Sequence, residues 1–268
     1  MSEVSPPPEW FSEFFESPDS IPLSFFPTPG ATEREVDGIE RLLGLRPEAR
    51  IGHPLSCQER GQGVRIGDLC CGAGRHVVRL VERGYRAVGL DISAMMLGLA
   101  RGEARQRRAA APLVRGDARR LPFRDASLDV ALNLFNSFGY CATDEENEQV
   151  IREAARVLKP GGQFFLETRN PQYQILFAPV RQDVKTADGQ KLVVGWRYDR
   201  ETKRLNSEWR RPRTDRLVYT ASIRLYQIEE LRAMMARSGL EETGLFGGYG
   251  GEAFDGWERV VVWRGRRR

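Results

Sequence analysis

The sequence predicts an α/β fold: a seven-stranded, mostly parallel, doubly wound sheet with an antiparallel β-meander inserted after its fifth strand. Three observations predict it. From residue 64 to 168, short apolar runs alternate with amphipathic helical stretches. Such alternation builds right-handed βαβ units and a sheet covered on both faces. After Pro171 the period shortens to three β-like stretches, and the chain then returns to one helix and two strands.

Each element follows from local pattern. Trp10, Phe11, Phe14 and Phe15 recur at helical spacing, with Phe25 and Phe26 following among prolines. That short helix is either a hydrophobic strap on the core or a lid over a ligand pocket. Thr32-x-x-Glu35 predicts a capping box opening a helix that runs to about Leu45. Residues 46–63, rich in proline, glycine and polar side chains, read as a loop, and His53 within it as a surface residue. Strands are expected at 64–69, 86–90, 113–115, 128–134 and 163–168, with helices at 75–83, 94–108 and 144–158. The last helix stops at Lys159-Pro160-Gly161-Gly162. The meander strands fall at 192–198, 204–210 and 217–225, followed by helix 228–238 and strands 240–246 and 259–263. In domain terms, residues 1–63 form an N-terminal helical cap and loop, 64–170 and 226–268 a Rossmann-like ligand-binding domain, and 171–225 the insertion. The insertion is too small to stand alone, but large enough to cover a substrate pocket or form a homodimer face.

Composition narrows the class. With 268 residues, 41% of them hydrophobic, the chain is long enough for one large globular domain. No apolar run reaches the ~20 residues of a membrane span, and the N-terminus has no signal-peptide pattern. Four scattered cysteines read as reduced thiols, which places the protein in the cytoplasm. The net charge of +4 is carried almost wholly by arginine, since only Lys159, Lys185, Lys191 and Lys203 are lysines. Arg101, Arg105, Arg107 and Arg108 read as a solvated helix end, and residues 264–268 as a frayed tail. Neither is a nucleic-acid stripe, because no basic patch has aromatics interleaved.

The most informative segment is Asp68-Leu69-Cys70-Cys71-Gly72-Ala73-Gly74-Arg75-His76, with Asp91 ending the next apolar run 17 residues beyond Gly74. A glycine turn between strand and helix lets backbone N–H groups approach a ligand. An acid at the end of the second strand is placed to accept both ribose hydroxyls. A dinucleotide fingerprint does not fit, because Val77 stands where its third small residue belongs and Asp68 precedes the turn. A carboxylate there suits a cationic amino-acid end and repels a pyrophosphate. Downstream, Gly116-Asp117-Ala118 follows the third strand, where Asp117 can take an adenine amine. Met95 and Met96, just after Asp91, are positioned to pack on the adenine face, with plain core methionines the alternative for either. Asn133-Leu134-Phe135-Asn136-Ser137-Phe138-Gly139-Tyr140 closes the fourth strand.

Together with Leu158-Lys159-Pro160-Gly161-Gly162, these motifs resemble the class I S-adenosylmethionine-dependent methyltransferases over about residues 33–264. Within that superfamily, Asn136-Ser137-Phe138-Gly139-Tyr140 and the β-rich insertion are similar to amino-sugar N-methyltransferases. The resemblance implies S-adenosylmethionine as cofactor, no metal, and a small-molecule acceptor methylated on N or O. It places Asp68, Gly72 and Gly74 at the methionine part, Asp91 at the ribose, and Asp117 with Ala118 at the adenine, with Cys70, Ile92 and Met95 also expected to bind the cofactor. Asn133 is expected beside the cofactor, and Asn136, Tyr140 and His76 are the catalytic candidates. Arg169, Asn170, Trp196, Tyr198, Trp209, Tyr226 and Tyr249 are further side chains expected near the carboxyl edge. One departure is Cys70, where many members carry glycine. An RNA or protein methyltransferase and a non-catalytic cofactor-binding scaffold remain the alternatives, with nucleic acid disfavoured by the lack of a binding module.

Overall fold

The computed structural model describes residues 6–16, 30–46, 63–178, 180–186 and 189–268. Phe25, Phe26, His53, Cys57 and most of the loop at 46–63 lie outside the described residues. Seven strands form the main sheet: β1 (Arg65–Leu69), β2 (Arg86–Asp91), β3 (Leu113–Arg115), β4 (Leu128–Asn133), β5 (Leu158–Arg169), β10 (Leu240–Phe246) and β11 (Val260–Arg267). Their order is β10-β11-β5-β4-β1-β2-β3. β1 pairs in parallel with both β2 and β4, and β4 with β5, whereas β11 runs antiparallel between β5 and β10. Strand order reverses at β1/β4, so a crevice opens there at the carboxyl ends of the strands.

Burial alternates along the strands as the pleat requires. Val130 and Leu132 of β4 face one layer with Ile66 and Phe165, against α2 (Ala31–Leu43), α3 (Arg75–Glu82) and α4 (Ala94–Gln106). Ala131 faces the other with Phe164, Leu166 and Trp263, against α5 (Asp144–Val157) and α7 (Ile228–Arg237). Arg83 ties α3 to α2 through Glu33, Asp37 and Glu40.

A second sheet is antiparallel, in the order β6 (Val180–Lys185), β7 (Lys191–Asp199), β8 (Arg204–Arg210) and β9 (Leu217–Arg224). It has four strands where the sequence pattern suggests about three, and a short helix α6 (Pro171–Phe177) precedes it. β6 escapes sequence reading because it is an exposed edge strand with no apolar alternation. The aromatic helix α1 (Trp10–Phe14) packs on this sheet, sharing a core with Leu192, Val194, Leu205, Trp209 and Ile223.

Two local expectations fail. Thr32 and Glu35 do not cap α2: the helix starts after Gly30 with no side-chain cap, and both side chains turn to Arg75. A capping box does form at Thr143 with Glu146, opening α5. The arginine-rich end is not frayed either. Arg264 to Arg266 pair with Phe165 to Gln163 inside the sheet, and Arg267 donates to the Arg156 carbonyl at 2.9 Å.

Candidate active site

A cavity of about 660 Å³ lies at the carboxyl edge of β1, β2 and β4, within the range of small-molecule sites. Its floor is the turn after β1. Cys70 and Gly72 both adopt left-handed backbone, with φ of 62° and 54°. A Cβ on Gly72 would press on Met96 Cε at 3.3 Å. Gly74 serves packing, since a Cβ there would sit 2.7 Å from Ala100 Cβ. It marks the close approach of α3 and α4 and is not a lining residue.

Asp91 locks this turn to β2. Its Oδ2 accepts the Gly72 N–H at 2.8 Å and its Oδ1 the Ser93 N–H at 2.9 Å. The carboxylate is thereby fixed, with lone pairs left to face the cavity. Asp68, at the end of β1, is 1% exposed, and its Oδ2 has no hydrogen-bond partner in the protein. Burial pushes its pKa up to about 7, against the pull of Arg75. A buried carboxylate oxygen beside a glycine turn suits an ammonium donor. Burial and the two aspartates push both Cys70 and Cys71 thiols well up, so neither is a thiolate nucleophile.

His76 and Arg75 open α3, and both bond Glu35 of α2. His76 Nε2 lies 2.8 Å from Glu35 Oε2. Burial lowers the His76 pKa, and the Arg75 charge adds to it, against the bond to Glu35. Burial works upward on Glu35, but His76 and Arg75 hold its pKa down. The pair is thus a neutral imidazole donating to a carboxylate. Arg75 also stacks on Phe135, its guanidinium carbon 4.7 Å from the ring centroid.

After β3, Asp117 is not open as its sequence motif suggests. Arg119 chelates it, Nε at 3.1 and 2.9 Å from the two oxygens and Nη2 at 2.7 Å, and the Arg119 N–H adds a fourth bond. Ala118, Ile92 and Met96 line the same wall, whereas Met95 is not among the lining residues. Its backbone N–H donates to Glu16 at 3.2 Å.

Beyond β4 the chain is strained. Phe135 and Asn136 have φ of 56° and 60°. Glu167 of β5 holds the bend, accepting the Phe135 N–H at 3.0 Å and the Tyr249 hydroxyl at 2.5 Å. Asn133 is buried, its Nδ2 3.8 Å from Cys70 Sγ, and Asn136 Oδ1 is buried without a partner. Neither lines the cavity, whereas Tyr140 does. Tyr140 stacks on Phe15 with centroids 6.0 Å apart, and burial pushes its hydroxyl pKa up to about 12.

The segment carrying α1 closes the roof. Phe11 and Phe15 line the cavity, Ser93 Oγ donates to the Phe15 carbonyl at 2.7 Å, and Glu9 pairs with Arg119 at 2.8 Å. Glu16 takes the Ala94 N–H at 2.8 Å, completing the first turn of α4. The same segment is therefore strap and roof at once.

Of the residues singled out from sequence, Asp68, Cys70, Gly72, His76, Asp91, Ile92, Asp117, Ala118 and Tyr140 meet at one cavity. Asn170 instead caps α6 and bonds the carbonyls of Gly256 and Glu258. Trp209 and Tyr226 are core side chains, the latter bonding Asp144 at 2.7 Å. Sequence reading missed Glu35, Arg75, Arg119 and Glu167. Glu35, Arg75 and Glu167 have partners far along the chain, where no spacing signals them, and Arg119, two residues from Asp117, also reaches Glu9 and Glu146.

Known proteins give the same picture. A family described as "Methyltransferase domain" matches residues 66–162. The chain is 30% identical over 221 residues to the cypemycin N-terminal methyltransferase of a Streptomyces species, covering 81% of this chain and 89% of that one. Its fold matches the CcbJ methyltransferase of Streptomyces caelestis, with TM-score 0.73, 20% identity and 97% of each chain covered. It also matches a sugar N-methyltransferase of a Streptoalloteichus species, with TM-score 0.62, 22% identity, and 91% and 92% covered. A buried, unpartnered Asp68, a left-handed turn under a fixed Asp91 and an apolar wall beside Asp117 fit the three parts of one cofactor. The chain belongs to the class I S-adenosylmethionine-dependent methyltransferases, and S-adenosylmethionine is its cofactor.

Proposed function

We propose that the enzyme methylates a nitrogen atom of a small-molecule amine. The observation that carries this reading is the proton chemistry of the acceptor end. Of the catalytic candidates, Tyr140 holds its proton up to about pH 12, and burial beside the Arg75 cation lowers the basicity of His76. Neither is suited to deprotonating a hydroxyl, which needs a base. A neutral amine already offers a lone pair. The names of the cypemycin N-terminal and sugar N-methyltransferase relatives point the same way.

In this reading Asp68 takes the ammonium of the methionine part, the Cys70–Gly72 backbone lies along it, and Asp91 takes the ribose hydroxyls. Ile92, Met96 and Ala118 sandwich the adenine, with Asp117 held at its edge by Arg119. The bound cofactor supplies a methyl group already activated on a cationic sulfur. The protein's share is alignment and exclusion of water. The Phe135 bend, held by Glu167 and covered by Arg75, sets the wall from which the nitrogen approaches. Tyr140, Phe11 and Phe15 keep that end dry. The amine proton leaves to solvent after transfer.

Calorimetric titration with S-adenosylmethionine and S-adenosylhomocysteine, with Asp91→Asn and NAD as controls, tests the cofactor assignment. A panel of matched amines and alcohols, scored for methylation by mass spectrometry, tests the acceptor. Amines are expected to react and alcohols not; methylated alcohols with inert amines would overturn the nitrogen reading.

A further inference from the structure

Arg169 is a half-buried cation that no ion pair holds among the described residues. It ends β5, at the carboxyl edge of the sheet, two residues beyond Glu167 and so on the same face of the strand. Its guanidinium carbon stands 5.3 Å from the centroid of the Trp196 ring, which β7 contributes from the second sheet. Its Nε is buried with no hydrogen-bond partner. Three other enclosed arginines each have a carboxylate, and Arg204, which has none, donates to Ser222 and to the Cys141 carbonyl, whereas no hydrogen bond takes up the Arg169 Nε. Arg75 has Glu35, Arg119 has Asp117, Glu9 and Glu146, and Arg224 has Asp144 and Glu230. An unpaired buried charge is costly, and a fold that keeps one reserves its donors for a partner from outside.

The surroundings say which partner. Tyr140, a wall of the cofactor cavity, and Trp196 pack against the same hydrophobic cluster beneath α1, which makes the two sites neighbours. Burial lowers the Arg169 pKa, and the like charge of Arg259 adds to it, against Tyr140 and Glu167. A guanidinium over an indole with its Nε unpartnered can offer a two-pronged contact, the geometry of a carboxylate. We propose that Arg169 anchors a carboxylate of the methyl acceptor, with Trp196 as its platform, so that the acceptor is an amine that also carries a carboxylate. This rests on the amine reading above and adds the substrate's second group. Arg169 is here a binding residue, and no proton or methyl passes through it.

The test uses phenylacetate and phenylacetamide, a carboxylate and its neutral isostere, against the full chain saturated with S-adenosylhomocysteine. Ligand-observed NMR titration of the wild-type protein should show phenylacetate binding at least about tenfold tighter than the amide. Arg169→Met should erase that preference, and Arg169→Lys should retain part of it, with S-adenosylhomocysteine affinity unchanged in both. Equal binding of the two probes, no binding of phenylacetate at about 10 mM, or a carboxylate preference that survives Arg169→Met each overturns the proposal. Failure of the cofactor reading is seen separately, as loss of S-adenosylhomocysteine binding in the wild type.

Discussion

The carbonyl of Gly139 accepts the Arg224 N–H at 2.8 Å, so the loop after β4 is bonded directly to the end of β9. A Cβ on Gly139, whose φ is 94°, would lie 2.2 Å from the Arg224 carbonyl oxygen. No side chain fits there without parting the second sheet from the catalytic loop. Gly139→Ala is expected to lower stability by about 2–4 kcal/mol and to reduce methyl transfer more than cofactor binding. Chemical denaturation and paired kinetics check it; a variant of wild-type stability would refute the contact.

Asp68 makes cofactor affinity depend on pH. Its pKa, raised by burial to about 7 from 3.8, means that the ligand-free fold keeps this carboxyl protonated in mild acid. Its contribution to stability is full below 3.8 and is lost as pH rises through about 7. A ligand ammonium needs the ionised form, so affinity for S-adenosylhomocysteine should rise up to about pH 7. It should fall again above about pH 8, where an α-amino group loses its own proton. Calorimetry across this range, in buffers of different ionisation enthalpy, should show proton release on the acid side. Asp68→Asn should abolish that rise.

Cys70 holds a backbone conformation that side chains resist, at a cost of roughly 1 kcal/mol. Cys70→Gly should therefore match or exceed wild-type stability, while Cys70→Val should lose about 2 kcal/mol. Urea titrations decide it, and a glycine variant weaker than the valine variant would remove the strain from the account.

Glu16 closes the roof by taking two N–H groups at the start of α4 and by pairing with Arg115 at 3.4 Å. Glu16→Gln keeps the shape and removes the charge. Release of S-adenosylhomocysteine should quicken by roughly three- to tenfold, with little change in Tm. Stopped-flow fluorescence measures it, and an unchanged off-rate would mean that the roof does not gate the ligand.

Much of this was legible in the residues. The β1 turn, Asp91 and the strand–helix alternation are local patterns, and they come together because a parallel sheet puts successive strand ends side by side. What stayed hidden depends on contacts distant in sequence. Thr32-x-x-Glu35 and Thr143-x-x-Glu146 have the same spacing, yet only the second caps a helix. In the first, Arg75 and His76, about 40 residues on, compete for the glutamate and win. Asp117 lies in a readable motif, but its occupation by Arg119, which Glu9 and Glu146 also hold, needs three segments to meet. The terminal arginines look frayed by composition, and it is the unpaired edges of β5 and β10 that recruit them.

Trp10 Nε1 donates to the Ser222 carbonyl at 3.0 Å across 212 residues of chain. On the ribosome the aromatic helix emerges long before its seat exists, because the sheet it packs on is not made until β9 has been synthesised. For most of the chain's synthesis Trp10, Phe11 and Phe14 are exposed to other hydrophobic surfaces, and they belong among the chaperone-sensitive segments of the nascent protein. The cofactor chamber acquires its roof only after that seat exists, so ligand binding rewards the finished fold and cannot guide the early steps.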